Sequence, residues 1–453
     1  MSKTISRKTI QFMLSILLCL LPAGVAWADG AVYAMTNALG NNQILVYHRA
    51  VNGNLTLVQT IATGGGGSGL QLAGVDSLGS AGSVQLDKGH HLLYVVNTES
   101  ASANNGAGAY NSDCQLGTIT SFVVASNGTL TFADRVSSGG MFPNSLTVAT
   151  AQTQNQNGEN AGDVLFVLNA GGPSVCGVGP NVTGFRVSES GNMTPVSVSP
   201  ISPGPATGSG ESCSAASAAG FAALTGAPAA DFECGLNPPS FSRSPGQIRF
   251  TPNGNQLIVT VKGTNTIYAF PVDNAGRLGY PSVTQASLPA LPSYFGFSFD
   301  KNGHLLVTEL FGTATSIPAG GQGSVSSFTV TTGGELNAIS SHIADGGTAA
   351  QSIALEPLTG GFAYVSNNLS ASISSYSVAT DGSLTLINGS AAVGGGPNDL
   401  ATATEGGVSF LYVVYAGSGT VGAYQVNLTN GSLTALTQGS GLPTSAAQGI
   451  AAY

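Results

Sequence analysis

Of 453 residues only 12 are Lys or Arg and 21 Asp or Glu, 7% charged against roughly 25% in ordinary soluble domains, and 64 are glycine. A hydrophobic content of 42% excludes a disordered chain, and glycine at this density excludes a mainly helical one. The net charge of −9, with no Lys/Arg cluster to replace counterions, argues against nucleic-acid or anionic-membrane partners.

At the N-terminus Lys3, Arg7 and Lys8 precede the apolar run Phe12–Leu21, then Pro22 and Ala26-Trp27-Ala28. Residues 1–28 therefore read as a signal peptide, and the mature chain is expected to be exported, to the periplasm or beyond. No later stretch is long enough to span a bilayer as a helix. Beyond Cys19 in the leader, four cysteines remain: Cys114, Cys176, Cys213 and Cys234. An even number in an exported chain suggests two disulfides. Of the three pairings, Cys213–Cys234 and Cys114–Cys176 are favoured. None shows C-x-x-C spacing, so no metal site is expected.

From residue 32 onward the chain repeats. A strand ends in an aromatic, and a polar turn with glycine and then Leu-Thr or a near equivalent comes next, as in Ile44-Leu45-Val46-Tyr47 with Asn52-Gly53-Asn54-Leu55-Thr56. The aromatic and glycine recur as Phe122 and Gly128, Phe185 and Gly191, Phe270 and Gly276, Phe328 and Gly334, Tyr376 and Gly382, and Tyr424 and Gly431. Upstream of each lies an apolar strand, often Tyr-Val: Val32-Tyr33-Ala34, Leu93-Tyr94-Val95-Val96 and so on to Leu411-Tyr412-Val413-Val414. Before that comes a strand of small residues, often opened by proline, as in Pro143-Asn144-Ser145-Leu146, Pro245-Gly246-Gln247-Ile248 and Pro397-Asn398-Asp399-Leu400.

Seven such units predict an all-β fold: a seven-bladed β-propeller of four-stranded blades, in one domain over residues 29–453. Small residues suit crowded inner strands and aromatics suit outer ones. The chain enters on a Tyr-Val strand and leaves on the small-residue strand Gln448-Gly449-Ile450-Ala451-Ala452, so N- and C-terminal strands are expected to close the ring in one blade. An insertion at about 200–244, with a short helix expected around 215–225, interrupts the pattern as an irregular excursion or a lid over one face.

Few residues are left for chemistry. His90, His91 and His304 fall in turns before Tyr-Val strands, and His48 and His342 look isolated. No Ser/His/Asp, H-E-x-x-H or phosphate-loop signature is present, and no cofactor is expected. The openings of the inner strands place Asn144, Gln247, Ser293, Gln351, Asn398, Asp399 and Gln448 around one channel mouth. That polar, nearly uncharged funnel suits a neutral sugar-like ligand or water.

The order Pro245...Pro252-Asn253-Gly254...Leu257-Ile258-Val259-Thr260...Ile267-Tyr268-Ala269-Phe270-Pro271-Val272-Asp273...Gly276 resembles the lactonase-type seven-bladed propellers, which include 6-phosphogluconolactonases and carboxymuconate-lactonizing enzymes. The resemblance covers the repeat pattern of the whole mature chain. It implies lactone hydrolysis at a site with a histidine, two arginines and a glutamate. The histidine position falls on Gly246, the arginines on Ser293 and Asn368, and the glutamate is kept as Glu309. Glu309 is then the expected base, Lys262 the nearby positive charge, and Tyr294 or Gln247 hydrogen-bond donors. The alternative is a non-catalytic extracellular propeller that binds a protein or polysaccharide partner through a degenerate site.

Overall fold

The computed structural model describes residues 30–69, 76–99, 114–149, 163–171, 178–196, 245–262, 265–273, 276–285, 294–310 and 322–453. The expected signal peptide, the insertion with its helix, Ser293, and Cys176, Cys213 and Cys234 lie outside these residues, so the cysteine pairing does too. Every regular element described is a β-strand. Among the described residues no helix is long and apolar enough to cross a membrane.

The strands form seven antiparallel meanders, the blades of a seven-bladed propeller. Blade 1 combines Gly30–Met35, Gln43–Arg49 and Leu55–Ala62 with the inner strand Ile450–Ala452. Blades 2 to 7 open on the inner strands Val84–Asp87, Pro143–Ala149, Pro245–Phe250, Tyr294–Phe299, Ala350–Leu355 and Pro397–Glu405. Each inner strand lies beside the next, and Ile450–Ala452 lies beside both Pro397–Glu405 and Val84–Asp87, completing the ring. The expected closure is therefore present: Val32, Tyr33 and Ala34 pair with Ala452, Ala451 and Ile450. Blade 7 carries one small addition, Gly439–Ser440, on its third strand.

The repeat signature has a physical cause at each position. Second strands such as Leu92–Asn97 and Phe362–Asn367 are buried along their whole length, packed between blades. Outer strands such as Leu55–Ala62 bury their first leucine and leave most of the remaining residues exposed, giving the Leu-Thr pattern. The seven repeat glycines, from Gly53 to Gly431, all have φ between 71° and 85°, where a side chain is strained. They also touch the preceding blade: a Cβ on Gly276 would come within 2.7 Å of Val164, and one on Gly431 within 2.6 Å of Phe362. Tyrosines of the second strand complete that contact. The hydroxyls of Tyr33, Tyr364 and Tyr412 donate to the carbonyls of Gly128, Gly431 and Gly53 in the next blade, at 2.9, 2.9 and 3.1 Å.

The core is thus a set of interblade layers, such as Ile258, Ile267 and Ala269 of blade 4 against Leu305, Val307 and Phe328 of blade 5. At the closure Arg49, only 1% exposed, donates to the Tyr453 carbonyl at 2.9 Å and pairs with Glu405 at 3.1 Å.

Candidate functional site at the channel mouth

Five of the seven inner strands open on a break in register: between Pro143 and Ser145, Pro245 and Gln247, Tyr294 and Phe297, Ala350 and Ile353, and Pro397 and Leu400. Such bulges release residues from the ladder and re-aim their side chains. Polar groups at and beside these bulges tie neighbouring blades together around the mouth. Asn144 Nδ2 donates to Pro245 O at 2.9 Å, the Phe297 amide donates to Gln247 Oε1 at 2.7 Å, and Asn398 Nδ2 donates to Ala447 O at 3.0 Å. Asn368 joins them by donating to Asn398 Oδ1 at 2.6 Å.

A segment absent from the repeat pattern, Asp76–Ser83, crosses this mouth just before the inner strand of blade 2. Its Ser80 carbonyl accepts from Gln448 Nε2 at 2.7 Å, its Ser80 hydroxyl donates to Asn144 O at 2.7 Å, and its Ala81 amide donates to Gly246 O at 3.1 Å. The Asp76 carboxylate shapes it by accepting the amides of Leu78, Gly79 and Ser80 at 2.8, 3.0 and 2.9 Å. The Lys262 ammonium donates to the Gly79 carbonyl and lies 4.4 Å from the Phe295 ring centre. Burial pushes the Lys262 amine down from its ordinary value, opposed by the charge of Asp76, and burial pushes the Asp76 carboxyl up.

Asp399 is the third ionisable group of the mouth. It is 3% exposed, and its carboxyl is pushed up to about 7 by burial and then by the charge of Asp76. Hydrogen bonds from the Ser352 hydroxyl and the Gly82 and Gly449 amides act against that rise. One oxygen, Oδ2, has no protein partner. Asn144 Oδ1, Asn368 Oδ1, Gln448 Oε1 and both amide atoms of Gln351 are buried without one as well. So many unmatched polar atoms around one axis require water or a ligand to satisfy them.

Glu309 does not join this set. Fully buried, it accepts from Ser326 Oγ at 2.6 Å, from His342 Nδ1 at 2.7 Å, and from Ser324 Oγ. Its pairing partner in the ladder is Ser324, and the equivalent place in other blades holds an asparagine with the same task. Asn97 Nδ2 reaches Thr118 and Thr120 at 3.2 and 3.0 Å, Asn169 Nδ2 reaches Asn181 and Thr183 at 2.9 and 3.3 Å, and Asn367 Nδ2 reaches Ser372 and Ser374 at 3.4 and 2.6 Å. Each clasps its strand to the residue opposite and the one two further on. Tyr294, opposite Glu309, packs into the interblade core, its ring edge-on to Phe328 with centroids 6.4 Å apart. Burial, then the Glu309 charge, raises its phenol well above the ordinary value.

Two sequence readings are corrected here. His342 is not isolated: it bonds Glu309, which raises its imidazole above the ordinary value against the effect of burial. His90 is more than a turn residue, since its Nδ1 faces both Asp87 and Asp163. Asp76 was missed, because the linker that carries it breaks the repeat. Its one sequence signal is Asp76-Ser77-Leu78-Gly79-Ser80, an acceptor followed by small residues that suit a tight turn. At the far end of the channel lies a separate cavity of about 880 Å³, lined by Arg249, Asp300, Glu356 and Thr402 among others and by none of the mouth residues.

Residues 235–446 match the family model described as Lactonase, 7-bladed beta-propeller. A protein from Lactobacillus plantarum has the same fold, with a TM-score of 0.61 at 17% identity over 94% of this chain and 99% of its own. A periplasmic gluconolactonase from Pseudomonas aeruginosa gives 0.59 at 18% over 92% and 97%. A Bacteroides fragilis protein assigned as a 6-phosphogluconolactonase gives 0.59 at 16% over 94% and 98%. No curated protein matches the chain. At such identities the structural likeness is one of fold, a seven-bladed β-propeller, and the match to the lactonase-type seven-bladed propeller model extends over blades 4 to 7, a little under half of the chain.

Proposed function

We propose that this propeller hydrolyses a small, uncharged, sugar-derived lactone at the channel mouth, after export, with Asp399 as the general base. The observation that carries the reading is the Asp399 carboxyl: raised to about 7 and with one oxygen unmatched, it can take a proton from water near neutral pH. In the reaction Asp399 removes a proton from water as the water oxygen adds to the lactone carbonyl carbon. Lys262 and the Gln351 amide supply positive charge and a donor for the oxyanion. Collapse breaks the ring C–O bond, and the proton returns from Asp399 to the ring oxygen, releasing a hydroxy acid.

Asn368, Asn398, Gln247 and Gln448 offer amides for sugar hydroxyls. Lys262, the one cation at the mouth among the described residues, already has Asp76 as counter-charge, which favours an uncharged lactone over a phosphorylated one. Glu309, the base implied by the resemblance, has its carboxylate occupied by three donors and is assigned to holding blade 5 and His342 in place. Tyr294, buried against Phe328, supports the same blade.

The alternative, a non-catalytic propeller that binds a protein or polysaccharide partner through its loops, is favoured by the burial of the mouth residues, Asp399 among them. The test is base uptake in a pH-stat with gluconolactone and 6-phosphogluconolactone, comparing the chain with Asp399→Asn. Turnover of the uncharged lactone, lost in the variant, is expected. No turnover of either lactone by the folded chain would overturn the hydrolase reading and favour the alternative instead.

A further inference from the structure

On the face opposite the mouth, where blades 2 and 3 meet, His90 Nδ1 lies 2.9 Å from Asp87 Oδ2 and 2.7 Å from Asp163 Oδ2. The three donor atoms lie within 4.8 Å of one another. One ring N–H shared between two carboxylate oxygens is a weaker three-centre bond to each, and two carboxylates this close repel unless a proton or a cation stands between them. Asp163 is 7% exposed, Asp87 11% and His90 33%, so the cluster is walled by protein on the carboxylate side and open to solvent on the imidazole side.

Blade 5 provides an internal comparison. Its turn Asp300-Lys301-Asn302-Gly303-His304 parallels Asp87-Lys88-Gly89-His90, and His304 Nδ1 pairs with Asp300 Oδ2 at 2.7 Å. The Asp–His pair is therefore a turn device that needs no ion. The third group is what differs. Counted from Asn169 and Asn367, which hold the same place in the ladder, Asp163 corresponds in blade 6, the neighbour of blade 5, to Gly361, which has no side chain.

A second observation points the same way. Tyr94 occupies the place of Tyr33, Tyr364 and Tyr412, whose hydroxyls bond the repeat glycine of the next blade. In blade 3 that carbonyl, Gly191 O, is taken by Ser121 Oγ at 2.7 Å. The Tyr94 hydroxyl is left buried with no partner, within electrostatic reach of both Asp87 and Asp163. We propose that Asp87, His90 and Asp163 form a site for Zn²⁺, whose remaining position is filled by a water that also satisfies the Tyr94 hydroxyl. Two carboxylates and a neutral imidazole balance the charge of a divalent ion. One nitrogen donor among them suits zinc better than calcium or magnesium, which prefer oxygen alone.

The test uses the full chain, stripped with chelator and desalted. Calorimetric titration with Zn²⁺ is expected to give one equivalent, and Co²⁺ in its place should produce visible absorption bands of a low-symmetry N/O site. Asp163→Asn should weaken Zn²⁺ binding roughly tenfold or more, while Asp300→Asn, at the two-membered pair of blade 5, should leave it unchanged. His90→Asn gives the same comparison if circular dichroism shows that Asp163→Asn does not fold. Absence of a stoichiometric equivalent, or Zn²⁺ binding by Asp163→Asn and His90→Asn as tight as by the wild type, overturns the site.

Discussion

Asp399 and Glu309 are both buried carboxyls near strand ends, separated by what surrounds them. Asp399 has a free oxygen, so Asp399→Asn is expected to lower kcat/KM on an uncharged lactone by roughly 10²-fold or more, the usual size of a lost general base. The wild-type rate should climb as pH passes about 7, where Asp399 gives up its proton. Its stability signature has a definite sign. Burial raises the folded-state value, so the folded form is favoured with the proton on, and this contribution is lost as pH rises from about 4 through 7. Asp399→Asn, neutral throughout, should match wild type only near pH 4 and below and melt several degrees higher near pH 8, a difference of roughly 4 kcal/mol. Equal melting of the two proteins at pH 8 would refute the raised carboxyl. Glu309→Gln should instead lower stability by about 1–3 kcal/mol through its weakened serine and histidine bonds while leaving kcat/KM within several-fold. A loss of activity as deep as that of Asp399→Asn, in a fully folded protein, would return the role of base to Glu309.

Among the elements, what could be read in the sequence is whatever repeats. The glycine of each outer turn and the Tyr-Val strand are visible because seven copies meet one steric demand, φ near 80° against the preceding blade. The clasp position was legible only in part. Asn97, Asn169 and Asn367 fall in register with Glu309, but the role becomes clear only when the hydroxyls of the facing strand are placed beside them. The bulges that free Asn398 and Asp399 leave no periodic trace, since one slipped residue looks like any other polar residue after a proline. Asp76–Ser83 was beyond reach for the opposite reason: it occurs once, and its bonds go to blades remote in sequence. Its own carboxylate holds it, so Asp76→Ala should raise hydrogen exchange at the Leu78, Gly79 and Ser80 amides by at least tenfold, read by mass spectrometry. Unaltered protection there would mean that the contacts to Gln448, Asn144 and Gly246 hold the segment unaided.

For the molecule as a whole, the decisive feature is that blade 1 is assembled from both ends of the chain. Deleting Gln448–Tyr453 removes the three ladder pairs of Ile450–Ala452 and the carbonyl that Arg49 holds. Arg49 keeps Glu405 but loses one buried acceptor, by itself roughly 1–3 kcal/mol, and the apolar burial and ladder bonds of Ile450–Ala452 go with it, so the melting temperature should fall sharply, as scanning calorimetry would show. An unchanged transition would mean that the six other blades stand without the seventh being closed. The same joint has a bearing on synthesis. Val32, Tyr33 and Ala34 lie in Gly30–Met35, made before every other described strand of the ring, and their partners Ile450–Ala452 follow the strands of all seven blades. Until Ile450–Ala452 arrives, the first blade keeps a bare hydrogen-bonding edge, so a chain interrupted after its first blade and one interrupted just before residue 450 share the same exposed, aggregation-prone flank. The propeller thereby makes its first blade wait on the strand Ile450–Ala452 before its flank is covered.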